Sequence, residues 1–140
     1  MKICVLASGS KGNCAYIETS KTKSLVDLGM SAGYVAKALK NIGVDPSLIQ
    51  RVFITHTHSD HVAGLKVFLK KYHPVVYLTE KMETELNFDI EDKVYIDNDM
   101  DIADLTVTVI KTSHDAADSN GYVFSSQGKS IVYITDTGYI

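Results

Sequence analysis

At 140 residues the chain is long enough to bury the core of one domain, and 45% hydrophobic with 22% charged residues is an ordinary globular make-up. A formal net charge of −3 argues against a protein that coats nucleic acid, and no apolar run reaches the length of a membrane span. These features describe a soluble, cytoplasmic protein with no membrane partner.

The opening residues Lys2 to Ala7 read as a strand, without the apolar core and cleavage site of a signal peptide. Ile3 to Leu6 and Ala15 to Thr19 are short strands joined by a Gly/Ser loop, and Lys23 to Asp27 is a third. Ser31 is placed to cap a helix with Tyr34, Val35, Ala38, Leu39 and Ile42 along one face and Gly43 closing it. Arg51 to Thr55 is β-branched and apolar, as a buried strand should be. A helix follows from about Asp60, on the pattern Val62, Leu65, Phe68, Leu69. Val75 to Thr79 is a strand entered through Pro74, Glu80 to Asn87 a short helix and Val94 to Ile96 a short strand. Leu105 to Ile110 and Tyr122 to Ser125 flank a loop carrying His114, and Gln127-Gly128 turns the chain into Ser130 to Thr135. Strands that precede, alternate with and follow helices suit a mixed α/β fold, a sheet covered by helices on one face. Cys4 and Cys14, both in apolar strand contexts, read as buried reduced thiols.

The chemistry concentrates in Thr55-His56-Thr57-His58-Ser59-Asp60-His61. His56 and His58 sit two apart, so on the exit of a strand their imidazoles project the same way. Loops leaving the C-terminal ends of such strands are where open sheets place their sites. Asp60 and His61 come from the next turn, and four donors of mixed N and O type then converge. Adjacent Asp60 and His61 do not easily join one coordination sphere with both upstream histidines, so two borderline metal ions are the natural load. Histidine and carboxylate ligands suit zinc or manganese, with iron a third fit. The loop Ser8-Gly9-Ser10-Lys11-Gly12-Asn13 lacks the Gly-Lys-Ser/Thr ending of a P-loop and no helix follows it. Its glycines read as turn formers, and Ser10, Lys11 and Asn13 as rim residues able to bind a substrate phosphate. His73, before Pro74, reads as a helix C-cap. Lys37, Lys40, Lys66, Lys70 and Lys71 read as solvated helix faces.

The cluster resembles the His-x-His-x-Asp-His signature of the metallo-β-lactamase superfamily of dinuclear hydrolases. Leu25-Val26-Asp27-Leu28-Gly29 is similar to that family's first motif, in Thr112-Ser113-His114-Asp115 the histidine matches its isolated third motif, and in Tyr133-Ile134-Thr135-Asp136-Thr137-Gly138 the aspartate matches its bridging carboxylate. Ala7-Ser8-Gly9-Ser10-Lys11-Gly12-Asn13-Cys14, with Ser113-His114-Asp115-Ala116-Ala117-Asp118 and Gly121-Tyr122, most resembles the YycJ-type (WalJ-type) subfamily, associated with DNA exonuclease activity.

The resemblance implies an αβ/βα sandwich, of which residues 1–140 would be a single domain, incomplete at the C-terminus: the first half plus the opening strand of the second. It implies two divalent metal ions. His56, His58 and His114 would hold the first, Asp60, His61 and a histidine beyond this chain the second, and Asp136 both, with Asp27 steadying the metal loop. A hydroxide bridging the two ions would attack the substrate, and Asp60 would orient it as the catalytic carboxylate. The activity implied is a phosphodiesterase or DNA exonuclease with nucleic acid as substrate. A thioester or ester hydrolase of glyoxalase II type and a metal-binding fragment without turnover are the alternatives. A sheet face left uncovered would invite association into a homo-oligomer.

Overall fold

The computed structural model describes residues 1–111 and 119–134. Six strands form the first sheet in the order β1 (Lys2–Ala7), β2 (Cys14–Glu18), β3 (Lys23–Val26), β4 (Arg51–Phe53), β5 (Val75–Leu78), β6 (Lys93–Tyr95). The first three run antiparallel and β3 to β6 run parallel. The parallel steps are made through α1 (Ala32–Asn41), through α2 (Ser59–Val62) with α3 (Leu65–Tyr72), and through α4 (Glu80–Leu86). A second, antiparallel sheet follows in the order β10 (Lys129–Tyr133), β9 (Asn120–Ser126), β8 (Leu105–Lys111), β7 (Met100–Ile102).

Strand alternation divides the interior into two layers. Cys14, Tyr16, Leu25, Val52, Val76 and Leu78 pack with Val35, Leu39, Leu65, Phe68 and Met82 of the helices. Their neighbours Ala15, Ile17, Val26, Phe53 and Tyr77 face the other way, against Leu105, Val107, Tyr122 and Phe124 of the second sheet. Both faces of the first sheet are therefore covered, which is why its central strands are continuously apolar. Phe53 is the hub of the second layer, its ring 4.8 Å from Tyr77, 5.1 Å from Phe124 and 5.6 Å from Tyr122. Each such pair adds about 0.5–1.5 kcal/mol to the burial itself.

The helices begin and end for local reasons. Ser31 Oγ accepts from Tyr34 N at 3.2 Å at the start of α1, and Gly43 leaves its end with φ +80°. Thr79 Oγ1 caps α4 from Met82 N at 3.1 Å. His73 takes φ 57° as the C-cap of α3, ahead of Pro74, so the exposed imidazole ends a helix as expected. No helix among the described residues is long and apolar enough to cross a membrane.

Three departures from the sequence expectation have physical causes. The single helix expected from Asp60 onward is two, α2 and α3. The Asp60 carbonyl accepts from Asn13 N at 2.7 Å and Gly64 N donates to Leu28 O at 2.8 Å, so the helical ladder is interrupted there by tertiary bonds. The short strand β7 and a 3-10 turn at Pro46–Leu48 carry too few residues for any periodicity to show. Cys14 is buried but Cys4 only half-buried, and both are free thiols.

Gly64 is where α3 is pressed onto the loop after β3. A Cβ there would lie 2.0 Å from Met30 O, a backbone atom. Gly64→Ala is expected to cost about 3 kcal/mol or more in urea unfolding, whereas Gly33→Ala, on the open face of α1 with nothing within 4 Å, should gain about 0.5–1 kcal/mol. Equal midpoints for the two variants would show that the Gly64 contact yields easily.

Candidate metal centre

Three loops meet at the C-terminal ends of β3 and β4: residues 8–13 after β1, 27–30 after β3, and 54–58 leading into α2. Main-chain hydrogen bonds lace them together. Asp27 N donates to Phe53 O (2.8 Å), Leu28 N to His61 O (2.7 Å), Gly29 N to Asn13 O (2.8 Å) and Asn13 N to Asp60 O (2.7 Å). Gly29 is required by this approach, since a Cβ on it would stand 1.9 Å from Asp60 O.

At the centre lies Asp27, fully buried and held at φ 63°, a left-handed conformation that Asp tolerates better than most side chains. Its Oδ1 accepts from Thr55 N at 2.8 Å and its Oδ2 from Thr55 Oγ1 at 2.7 Å. Oδ2 also meets His61 Nδ1 at 2.6 Å. Burial pushes this carboxyl above the ordinary carboxylate range, and the bonds from His61 and Thr55 pull it back. With Nδ1 turned to Asp27, Nε2 of His61 faces Asp60, 3.6 Å from its Oδ2, and in the tautomer that donates Nδ1–H to the carboxylate this nitrogen carries the lone pair.

The remaining donors stand close by. One ligand atom from each of His56, His58 and Asp60 falls within 4.8 Å of the others, and the His56 ring lies 4.7 Å from that of His58 and 3.9 Å from that of His61. His56 and His61 are buried, Asp60 is half-buried and His58 is exposed. Imidazole nitrogens beside a carboxylate form a borderline-to-hard donor set, and one that suits a divalent transition metal. These residues fit such an ion, with His58 and Asp60 on the side that reaches solvent.

The structure brings His56, His58, Asp60, His61 and Asp27 together. His114 and Asp136 lie outside the described residues. Ser10 and Lys11 are exposed on the 8–13 loop. Asn13, expected at the rim, turns its carboxamide onto Gly9 and Asp60. The sequence reading passed over Thr55 as a partner of Asp27. It also passed over β9, where Asn120 N donates to Thr55 O at 2.7 Å and Tyr122 Oη to Ile54 O at 2.6 Å. The two-residue spacing of Asn120 and Tyr122 puts them on one face of a strand, but nothing in the sequence says that this face meets the exit of β4.

Replacing Asp27 by Ala removes the buried acceptor shared by Thr55 N, Thr55 Oγ1 and His61 Nδ1, at a cost of about 1–3 kcal/mol. Urea unfolding in chelator should record that loss. The isosteric Asp27→Asn should lose less stability and still weaken zinc binding about 10- to 100-fold. An Asp27→Ala midpoint equal to that of the unaltered chain would remove Asp27 from the organising role given to it here.

Comparison with known proteins agrees with this geometry. Residues 7–140 match the metallo-beta-lactamase superfamily. The chain is 37% identical to exodeoxyribonuclease WalJ of Streptococcus pneumoniae over 148 positions, 99% of this chain and 55% of that one. It is 36% identical to exodeoxyribonuclease YycJ of Bacillus anthracis over 143 positions, 97% of this chain and 54% of that one. It thus spans about half the length of the curated relatives it matches. Among solved structures, the fold resembles the Rm3 metallo-beta-lactamase (TM-score 0.76, 14% identity, 93% of this chain and 56% of that one). It also resembles BJP-1, a subclass B3 metallo-beta-lactamase of Bradyrhizobium japonicum (TM-score 0.70, 16% identity, 86% and 53%). With the relatives, the fold and the convergent donors in agreement, the chain belongs to the metallo-beta-lactamase superfamily.

Proposed function

We propose that these residues carry the metal loop of a metal-dependent phosphodiesterase acting on DNA, in the manner of an exonuclease. The observation that carries the reading is the convergence of His56, His58 and Asp60 beside the buried Asp27–His61 pair, in a chain 36–37% identical to two proteins named exodeoxyribonucleases. His56 and His58, with His114, are the proposed holders of one divalent ion and Asp60 and His61 of a second, with Asp136 shared. Zinc and manganese are the ions proposed. Divalent ions bound there supply Lewis acidity and lower the pKa of a coordinated water.

The chain's own groups do the rest. Asp60, half-exposed beside the three imidazoles, orients the attacking water by accepting one of its protons in a hydrogen bond. Asp27 fixes the tautomer of His61 and so the direction of its lone pair. Ser10 and Lys11, both exposed on the loop that ends at Asn13, are the proposed contacts to a phosphate oxygen of the substrate. With nucleic acid as the substrate, the cytoplasm is the compartment proposed.

The deciding assay incubates the protein with an end-labelled oligonucleotide and, in parallel, a thioester, each with zinc or manganese. Oligonucleotide shortening that chelator abolishes is expected, and His58→Ala should reduce it by at least about 100-fold. Thioester cleavage alone would overturn the nuclease reading. Lys11→Ala should raise KM for the oligonucleotide about tenfold, the effect of one charge-assisted hydrogen bond, with kcat little changed. Unaltered KM would leave the 8–13 loop as a turn only.

We further propose that the chain self-associates through apolar sheet surface. Val5 and Val132 are each 60% exposed, and Ile3 and Ile134 are 42% and 44% exposed, while among the described strands β1 and β10 each have one unpaired edge. Sedimentation velocity should show mass rising with concentration. A monomer at every concentration would contradict it.

A further inference from the structure

We infer that Asn13 is a positioning residue for the Asp60–His61 pair: its carboxamide nitrogen holds those two donors at the separation one cation requires. The inference rests on the metal reading above and assigns Asn13 a task other than contact with substrate.

The orientation of the amide is fixed by its neighbours. Oδ1 accepts from Gly9 N at 3.2 Å and Nδ2 donates to Gly9 O at 2.9 Å, so the –NH2 end is the one that faces the site. From there Nδ2 lies 3.2 Å from Asp60 O, 3.4 Å from Asp60 Oδ2 and 3.4 Å from His61 Nε2. Asp60 Oδ2 and His61 Nε2 are themselves 3.6 Å apart. The three atoms make a nearly equilateral triangle.

The edge between Asp60 Oδ2 and His61 Nε2, 3.6 Å long, is close to the separation of two ligands on one ion. Donors at about 2.0–2.2 Å from a tetrahedral ion stand about 3.4 Å from each other. Asp60 offers a carboxylate oxygen, and a neutral His61 whose Nδ1–H is donated to Asp27, 2.6 Å away, offers Nε2 as a second acceptor opposite Nδ2. Two acceptors this close repel unless a positive group lies between them. The amide hydrogens supply one, so the pair is held at chelating distance before any ion arrives, and the ion then takes over the single Nε2 lone pair while Nδ2 keeps its bond to Asp60 O. The main chain sets where the nitrogen sits: Asn13 N donates to Asp60 O at 2.7 Å and Asn13 O accepts from Gly29 N at 2.8 Å. Gly12 permits the approach, since a Cβ there would meet Gly29 O at 2.7 Å.

The test is a titration of the full chain with Zn²⁺ against a chromophoric chelator. The binding step that His61→Ala removes identifies the ion held by the pair. Asn13→Ala and Asn13→Ser are then compared, the serine keeping an acceptor for Gly9 N but unable to reach Asp60. In both variants that step should weaken about 10- to 100-fold with circular dichroism unchanged, and on oligonucleotide substrate kcat should fall more than KM rises. An unchanged zinc step, with or without a loss of stability, would overturn the inference, and a rise in KM alone would make Asn13 a substrate contact. If His61→Ala removes no zinc step from the unaltered protein, the metal reading itself fails. The two failures are therefore told apart.

Discussion

One buried carboxylate organises this molecule's working edge. Asp27 is fully buried, and taking an ionisable group out of water is costly unless its lone pairs are met. Here they are met by Thr55 N, Thr55 Oγ1 and His61 Nδ1, groups from the exit of β4 and the turn of α2. Those donors are equally costly to bury alone. Each side of the network therefore requires the other, and the loop carrying His56, His58 and Asp60 is drawn into one arrangement by the bonds that solvate Asp27.

The main chain reinforces that arrangement. Glycines at 29 and 64 let the loops after β1, β3 and β4 approach to distances that a Cβ would forbid, and two of the four bonds that lace them use the Asp60 and His61 carbonyls of α2, which the short helix leaves unmet. The second sheet adds its own hold, through Tyr122 on Ile54 O and Asn120 on Thr55 O. A site built this way sits on the ends of rigid strands, and the packing of Phe53 against Tyr77, Tyr122 and Phe124 anchors those strands from below. Fold stability and ligand direction are consequences of the same contacts.

Much of this was legible in the sequence. The donors at 56, 58, 60 and 61 are close along the chain, so strand alternation and one helical turn suffice to bring them together. Strand and helix positions followed from periodicity and from caps such as Ser31. What stayed hidden depends on contacts between distant segments. The break of the expected helix at Ala63-Gly64 arises because Asn13 takes the Asp60 carbonyl, a partner 47 residues away. The turn of Asn13 toward Asp60, and the reach of Asn120 and Tyr122 to β4, are equally long-range. Asp27 could be singled out only by resemblance, since a lone Asp before Leu28-Gly29 reads as well as a turn residue.

The central claim is that Asp27 fixes His61 in one tautomer and so aims its lone pair at the metal site. Imidazole nitrogen-15 NMR of the metal-free protein measures this directly. The His61 proton is expected on Nδ1, with Nε2 unprotonated and its resonance shifting when zinc is added. A His61 protonated on Nε2, or an Nε2 resonance indifferent to zinc, would contradict it.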